Sequence, residues 1–223
     1  MGLELFSASL GYRFRDADLL LRALTHRSQS AIHNERLEFL GDSVVNCTVA
    51  LALYRKFPAL SEGELSRLRA ILVSQPSLAA IAGVHDFGSH LRMGEGELKS
   101  GGARRPSMLA DALEAVVGAA FLDGGFEAAD TVVQTLFGAA LRNIDPSTTG
   151  KDPKTLLQEF MQSRRLPLPR YTVTAIRGEA HDQVFEVDCG IPELGIRCQG
   201  VGTSRRSAEQ EAARAAYERA SAS

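Results

Sequence analysis

Apolar residues recur every three to four positions through the first two thirds of the chain, which is the spacing of one face of an α-helix. The clearest of these stretches cover residues 16–25, 33–57, 107–122 and 126–142. Pro58 ends the second stretch, and Gly124 with Gly125 separates the last two. Ser61 and Glu64 have the Ser-x-x-Glu spacing of a capping box, which predicts a further helix after Pro58. No run in this part alternates with the period of two that a strand requires, so we predict an all-α domain.

The pattern changes in the last third of the chain. A short helix is predicted over residues 154–163, followed by three stretches in which apolar and polar residues alternate. These stretches cover residues 171–176, 184–189 and 195–201. An alanine-rich stretch over residues 204–220 predicts a closing helix. The order α-β-β-β-α predicts a small α+β domain in which both helices cover one face of an antiparallel three-stranded sheet.

A polar segment separates the two patterns. Residues 144–153 contain two prolines and a glycine and interrupt the helical spacing, which is typical of a domain boundary. We therefore predict an all-α domain over residues 1–145, a linker over residues 146–151 and the α+β domain over residues 152–221.

Composition and charge narrow the class of protein. With 44% hydrophobic and 23% charged residues in 223, the chain is globular rather than disordered. Its apolar runs are far shorter than the roughly 18 residues of a membrane span, and no basic segment precedes an apolar run at the N-terminus. Cys47, Cys189 and Cys198 form no Cys-x-x-Cys pair, which is typical of thiols in a reducing compartment. We expect a soluble, cytoplasmic protein without a membrane partner. The net charge of −2 does not indicate a nucleic-acid binder.

Acidic residues stand at two notable places. Glu35, Glu38 and Asp42 fall within about 60° of one another on the helix predicted over residues 33–57, although acids so spaced are often only a solvated surface. Asp111 and Glu114 lie in a stretch that is otherwise apolar all round, where a carboxylate must be paired, protonated or bound to a cation. No lysine or arginine stands three or four residues from either of them.

Two helices that bring these acids together would form an all-oxygen cage, which suits hard cations such as Mg²⁺ or Mn²⁺. Divalent ions in such a cage activate water for attack on a phosphate. The residues alone therefore predict a helical, metal-dependent phosphohydrolase. They do not name its substrate, and an α-helical nucleotide pyrophosphohydrolase fits equally well.

The ten residues 34–43, NERLEFLGDS, resemble the signature of the ribonuclease III family, and the similarity extends over residues 23–28, 94–102 and 109–115. The resemblance implies that four acids organise the metal: Glu38, Asp42, Asp111 and Glu114. Of these, Asp42 and Glu114 are the expected catalytic residues. Glu35 and Glu62 match family acids nearer the rim of the cleft, which support the positioning of RNA.

The same resemblance implies an activity and an assembly. We expect an endoribonuclease that hydrolyses double-stranded RNA with Mg²⁺ or, in its place, Mn²⁺. It would leave 5′-phosphate and 3′-hydroxyl ends and process ribosomal and messenger RNA precursors. The family works as a homodimer, for which Phe39 is the candidate residue inserted into the partner, and the alternative is that Phe39 belongs to the core of its own chain. The main rival class is a binding protein with an inactive nuclease domain, and the complete set of acids argues against it.

The C-terminal part resembles a double-stranded RNA-binding domain over residues 152–160, 178–185 and 202–209. The resemblance implies contacts to 2′-hydroxyls and phosphates. The residues expected to make them are Gln158, Glu159, His181, Arg205 and Arg206. Ala180 and Glu209 depart from that family, which often has Pro and Lys at these positions. Because an acid replaces one phosphate contact, we expect modest intrinsic affinity for RNA.

One further segment is rich in glycine. Residues 94–102 carry Lys99, and Arg104 and Arg105 follow. We expect a loop here, which either approaches a phosphate backbone or is simply flexible.

Overall fold

The computed structural model describes residues 2–147, 149–179 and 182–221. Ala180 and His181, both singled out by the sequence, lie outside the described residues. The chain divides into two compact units, Met1–Pro146 and Ser147–Ser223.

The first unit is helical, as predicted. Its helices are α1 (Leu3–Ser9), α2 (Ala17–Ala23), α3 (Glu35–Lys56), α4 (Glu62–Leu72), α5 (Gln75–Val84), α6 (Phe87–His90), α7 (Glu95–Lys99) and α8 (Pro106–Asn143). The predicted interruption of the last helix is confirmed, because Gly125 has a φ of 74° and a kink divides α8 there. The predicted capping box at the start of α4 is also present, with Ser61 and Glu64 bonded reciprocally.

Helices α3 and α8 form the centre of this unit. Val45, Val49, Val116 and Val117 are fully buried between them and the surrounding helices. Within the part of the chain that the structure describes, α3 is the one helix long and apolar enough to cross a membrane. It packs along α8 and supplies core residues, however, so its apolar character is that of a core helix and is consistent with a soluble protein.

Two glycines let the backbones of α3 and α8 touch. A Cβ added at Gly41 would lie 1.8 Å from the carbonyl oxygen of Glu114, and one added at Gly118 would lie 2.3 Å from that of Leu37. Any side chain at either position would push the helices apart. The crossing therefore brings the first turns of α3 against the first half of α8, where the two groups of acids stand.

The glycine-rich segment is not the loop that we expected from its composition. Residues 95–99 form α7, and a 3₁₀ turn follows at Gly102–Arg104. Gly94 is the N-cap of α7, and Gly101, with a φ of 80°, follows its C-terminal end. Gly94 and Gly101 thus flank a short helix, and Lys99 forms an ion pair with Glu95 at 3.4 Å.

The second unit confirms the predicted α-β-β-β-α order. It comprises α9 (Pro153–Ser163), β1 (Arg170–Arg177), β2 (Val184–Ile191), β3 (Ile196–Gly202) and α10 (Arg205–Ser221). The strands form an antiparallel sheet in the order β1-β2-β3, with a bulge in β1 between Val173 and Ala175. Cys189 of β2 and Cys198 of β3 lie directly opposite each other in the strand register, as free cysteines. They are buried with Leu157 of α9 and Ala212 of α10, which shows that both helices cover one face of the sheet.

Candidate active site

Three acids from α3 and α8 converge where the helices cross. Glu38 comes from α3, and Asp111 and Glu114 come from successive turns of α8. One carboxylate oxygen from each of the three lies within 4.8 Å of the others. Each side chain is half-buried. Among the described residues, no lysine or arginine forms an ion pair with any of them.

The pKa values of these acids reflect burial and crowding, which the lowering effect of His26 on the pKa of Asp111 opposes only in part. Burial, followed by the charges of Asp42, Glu38 and Asp111, raises the pKa of Glu114 to about 7. Burial is also the main reason that the pKa of Glu38 and that of Asp111 lie above their ordinary values. A group of carboxylates held in this state is destabilised by its own charge, and a bound cation would relieve the repulsion.

The donor set fits a hard divalent cation. Glu38, Asp111 and Glu114 offer only carboxylate oxygens, the ligands that Mg²⁺ and Mn²⁺ prefer. No histidine or cysteine belongs to this group of ligands, so nothing in it favours a softer metal.

Asp42 lies beside this group but is not part of it. It is exposed on α3, and Asn46 donates from Nδ2 to its Oδ1 and to its carbonyl oxygen, each at 3.0 Å. Asn46 is not among the site residues predicted from the sequence. Its position, four residues after an acid of interest on a predicted helix, is the signal that could have found it.

A cavity of about 450 Å³ opens beside the acids. Glu38 and Asp111 line it together with Glu35, His26 and Arg27. Arg27 contacts the Glu35 carboxylate at 3.3 Å, so Glu35 lies at the rim of the cavity with a positive partner.

Glu62, the other predicted supporting acid, lies elsewhere. It is exposed at the start of α4, where it accepts a hydrogen bond from the Ser66 hydroxyl at 2.7 Å. It lines a different pocket, shared with Tyr54 and Leu65. Within one chain, the fold therefore does not bring Glu62 to the acids of α3 and α8.

Phe39 does not belong to the core of its own chain, because 81% of its surface is exposed. It lies on α3 next to Glu38, at the edge of a cavity of about 550 Å³. Leu37, Leu40 and Leu122 line that cavity as well.

Four of the predicted RNA-binding residues of the second unit lie in the middle of α9 or at the start of α10. Gln158 and Glu159 are exposed on α9, and Arg205 and Arg206 are exposed at the start of α10. His181 lies outside the described residues. Two of these side chains already have partners: Lys151 contacts the Glu159 carboxylate at 2.6 Å, and Arg205 contacts the Glu209 carboxylate at 2.9 Å.

Comparison with known proteins agrees with both units. Residues 16–140 match the family model described as ribonuclease-III-like, and residues 153–219 match the double-stranded RNA binding motif. Ribonuclease 3 of Thiobacillus denitrificans is 61% identical over 208 residues, which cover 93% of this chain and 92% of that protein. Ribonuclease 3 of Ralstonia pickettii is 58% identical over 220 residues, which cover 99% and 86%.

Solved structures of the nuclease domain of ribonuclease III from Campylobacter jejuni are also similar. One has a TM-score of 0.59 at 45% identity and covers 63% of this chain and 96% of that domain. A second, described with structural flexibility in a region involved in dimer formation, has a TM-score of 0.60 at 45% identity and covers 62% and 97%. The chain thus belongs to the ribonuclease III family of divalent-metal-dependent nucleases and is an endoribonuclease for double-stranded RNA.

Proposed function

We propose that Glu38, Asp111 and Glu114, with Asp42 beside them, hold Mg²⁺ and form the hydrolytic site for duplex RNA. Mn²⁺ would substitute because it accepts the same oxygen donors. The observation that carries the proposal is the convergence of three half-buried carboxylates within 4.8 Å, with no lysine or arginine paired to them in the described part of the chain. Since a merely structural cluster of acids would be paired or solvated, this arrangement favours a site built for a cation.

The proposed reaction is hydrolysis of one phosphodiester bond. An oxygen atom of water forms a bond to phosphorus, and the bond between phosphorus and the 3′ oxygen breaks. The water loses a proton and the 3′ oxygen gains one, which leaves a 5′-phosphate and a 3′-hydroxyl. The bound ion would supply an activated nucleophile and neutralise charge on the attacked phosphate.

The protein groups have separate roles in this scheme. Glu38 and Asp111 would hold the ion from two different helices, so the crossing of α3 and α8 sets the spacing of these two ligands. Glu114, whose pKa is raised to about 7, would hold the ion as a carboxylate and would give up its proton to do so. Asp42, which Asn46 orients, is the second catalytic acid and would lie near the charge of the bound ion.

We also propose that the protein works as a homodimer. Phe39 is an exposed aromatic ring beside a cavity that is lined in part by leucines on the same chain. A surface that carries both a protruding ring and a receptive cavity can pair with a copy of itself about a two-fold axis. Glu62 lies away from the acids of its own chain, so a supporting role for it requires a second copy, whereas Glu35 lies at the rim of its own cavity.

In the second unit we propose that Gln158, Glu159 and His181 meet the minor groove, and that Arg205 and Arg206 meet phosphates. We assign residues 1–145 to hydrolysis, 146–151 to a linker and 152–221 to RNA binding. The matched ranges and the Asp152 side chain, which caps α9 by accepting from the Thr155 N–H at 3.0 Å, support the start of that last range. Cytoplasmic processing of ribosomal and messenger RNA precursors is the proposed setting.

Purified full-length protein should be incubated with an RNA duplex, a single strand of the same sequence, and nucleoside triphosphates, each with Mg²⁺ or with EDTA. We expect cleavage of the duplex but not of the single strand or the triphosphates, and only in the samples with Mg²⁺. The products should carry a 5′-phosphate. Hydrolysis of the triphosphates would instead support the pyrophosphohydrolase. Duplex binding without cleavage, at any Mg²⁺ or Mn²⁺ concentration, would contradict the proposal.

A further inference from the structure

Glu209 on α10 holds two cations that come from different helices. Its Oε2 accepts from Lys154 Nζ of α9 at 2.7 Å, and its Oε1 accepts from Arg205 Nε at 2.9 Å. Only 12% of the Glu209 side chain is exposed, compared with 66% for Arg205. Both carboxylate oxygens are therefore engaged, and the carboxylate lies beneath the guanidinium on the side away from solvent.

The surrounding contacts keep this arrangement in place. The Lys154 ammonium lies 4.5 Å from the centre of the Tyr171 ring, and the Lys154 backbone N–H donates to Gln210 Oε1 at 3.1 Å. Gln210 in turn donates from Nε2 to Asp152 Oδ1 at 3.0 Å. Glu209 and Gln210, which are neighbours in sequence, thus join the N-terminal ends of α9 and α10.

The contacts of Glu209 favour its ionised form. The Lys154 hydrogen bond, followed by that from Arg205, holds the pKa of the Glu209 carboxyl below its ordinary value. Lys154, Arg205 and Arg206 together carry three positive charges. Glu209, which is bonded to Lys154 and Arg205, cancels one of them.

A carboxylate bonded to a guanidinium and an ammonium engages N–H donors that an RNA phosphate oxygen would otherwise accept from. We propose that Glu209 is an affinity-determining residue that competes with the RNA backbone for Arg205 and Lys154. The duplex must then bind a surface with one fewer effective positive charge, which lowers affinity and makes binding less sensitive to salt. This inference rests on the proposed contact between the start of α10 and phosphate.

The test uses the full chain in EDTA, so that RNA is bound but not cut, and an RNA duplex of about 16 base pairs, the length that one such domain spans. Glu209→Gln keeps the size and hydrogen-bonding capacity of the side chain and removes its charge. We expect binding to tighten several-fold at about 50 mM salt, and log K to fall more steeply with log salt by about 0.9. The advantage of the variant should therefore shrink about threefold by 200 mM salt.

Glu211→Gln is the matched control. Glu211 lies on the same helix and pairs with Arg214 at 3.2 Å, but it is two residues, about 200°, around the helix from Glu209. It makes the same change in net charge without releasing Arg205. Equal tightening by both variants would overturn the inference, because the effect would then be one of bulk charge.

Arg205→Ala, made in the parent and in the Glu209→Gln background, separates this inference from the proposed function. We expect it to weaken binding in both backgrounds, and more strongly in Glu209→Gln, because the gain from Glu209→Gln passes through Arg205. If Arg205→Ala weakens binding while Glu209→Gln leaves it unchanged or weaker, the competition is refuted and the RNA-binding surface stands. If Arg205→Ala has no effect, the proposed phosphate contact itself is wrong.

A measurement on the unmodified protein covers the case in which Glu209→Gln perturbs the fold. The NMR signal of the Arg205 Nε–H group should shift when the duplex is added, because that group changes its partner.

In cleavage assays with Mg²⁺, Glu209→Gln should lower KM and leave the single-turnover rate at saturating RNA unchanged. An unshifted Nε–H signal in the bound complex, or a change in that rate without a change in KM, would contradict the inference.

Discussion

Glu114 is predicted to reduce the stability of the metal-free protein while serving its activity. Burial and three neighbouring acids raise its pKa from an ordinary value of 4.5 to about 7. The folded state therefore binds this proton more tightly than the unfolded chain does. Stability of the metal-free protein should fall as pH rises from about 4.5 to 7, and it should level off above that range.

The variant Glu114→Gln removes the charge and keeps the volume. A rise in pKa of this size corresponds to roughly 3 kcal/mol, which partial exposure to water reduces to ~1–2 kcal/mol. In EDTA at pH 8 the variant should thus be more stable than the parent by ~1–2 kcal/mol. For a domain of this size that is a rise in Tm of about 3–6 °C. At pH 5 the difference should be much smaller, because Glu114 is then mostly protonated.

Thermal melts in EDTA at the two pH values test this directly, and the same preparations serve for single-turnover cleavage with Mg²⁺. The stabilised variant should cleave duplex RNA at least about tenfold more slowly, since one ligand of the ion is lost. It should bind RNA normally in EDTA. A variant that melts at or below the parent temperature in EDTA at pH 8, or that cleaves at the parent rate, would refute this account of Glu114.

Three further substitutions test the geometry around the site. Phe39→Ala should weaken dimer association by roughly 2–4 kcal/mol, seen as monomer in sedimentation at micromolar protein, and an unchanged dimer would exclude the proposed interface. Asn46→Ala should free the Asp42 carboxylate and slow single-turnover cleavage by about tenfold without changing duplex affinity; a normal rate would show that Asn46 does not orient Asp42. Gly41→Ala should destabilise the first unit by about 3 kcal/mol, because its Cβ would lie 1.8 Å from the Glu114 carbonyl oxygen. A normal melt would mean that the α3–α8 crossing can relax.

Much of the site could be predicted from local spacing. Helical geometry predicts that Glu38 and Asp42 share one face of their helix. It likewise shows that Asp111 and Glu114 lie in a stretch that is otherwise apolar all round. The crossing at Gly41 and Gly118 could not be derived in this way, because it depends on contact between helices far apart in sequence.

The same limit applies in the second unit. The pairing of Arg205 with Glu209 follows from their spacing of four residues on a helix. Lys154, the other partner of Glu209, is 55 residues away and is brought there only by the packing of α9 against α10. Glu209 is predicted from the sequence only as a missing phosphate contact, whereas in the structure it also engages two of the cations that remain.

The central claim is that the acids of α3 and α8 cut duplex RNA by means of a divalent ion. Asp111→Asn tests it most directly, because the substitution alters one oxygen of the cluster and leaves the second unit untouched. Single-turnover cleavage of an end-labelled duplex should be measured against Mg²⁺ concentration for the parent and the variant, beside duplex binding in EDTA. We predict equal binding, no cleavage by either protein in EDTA, and a rate for the variant that is at least about tenfold lower and partly recovers at high Mg²⁺. Cleavage by the parent in EDTA, or an identical Mg²⁺ dependence for the two proteins, would contradict the account.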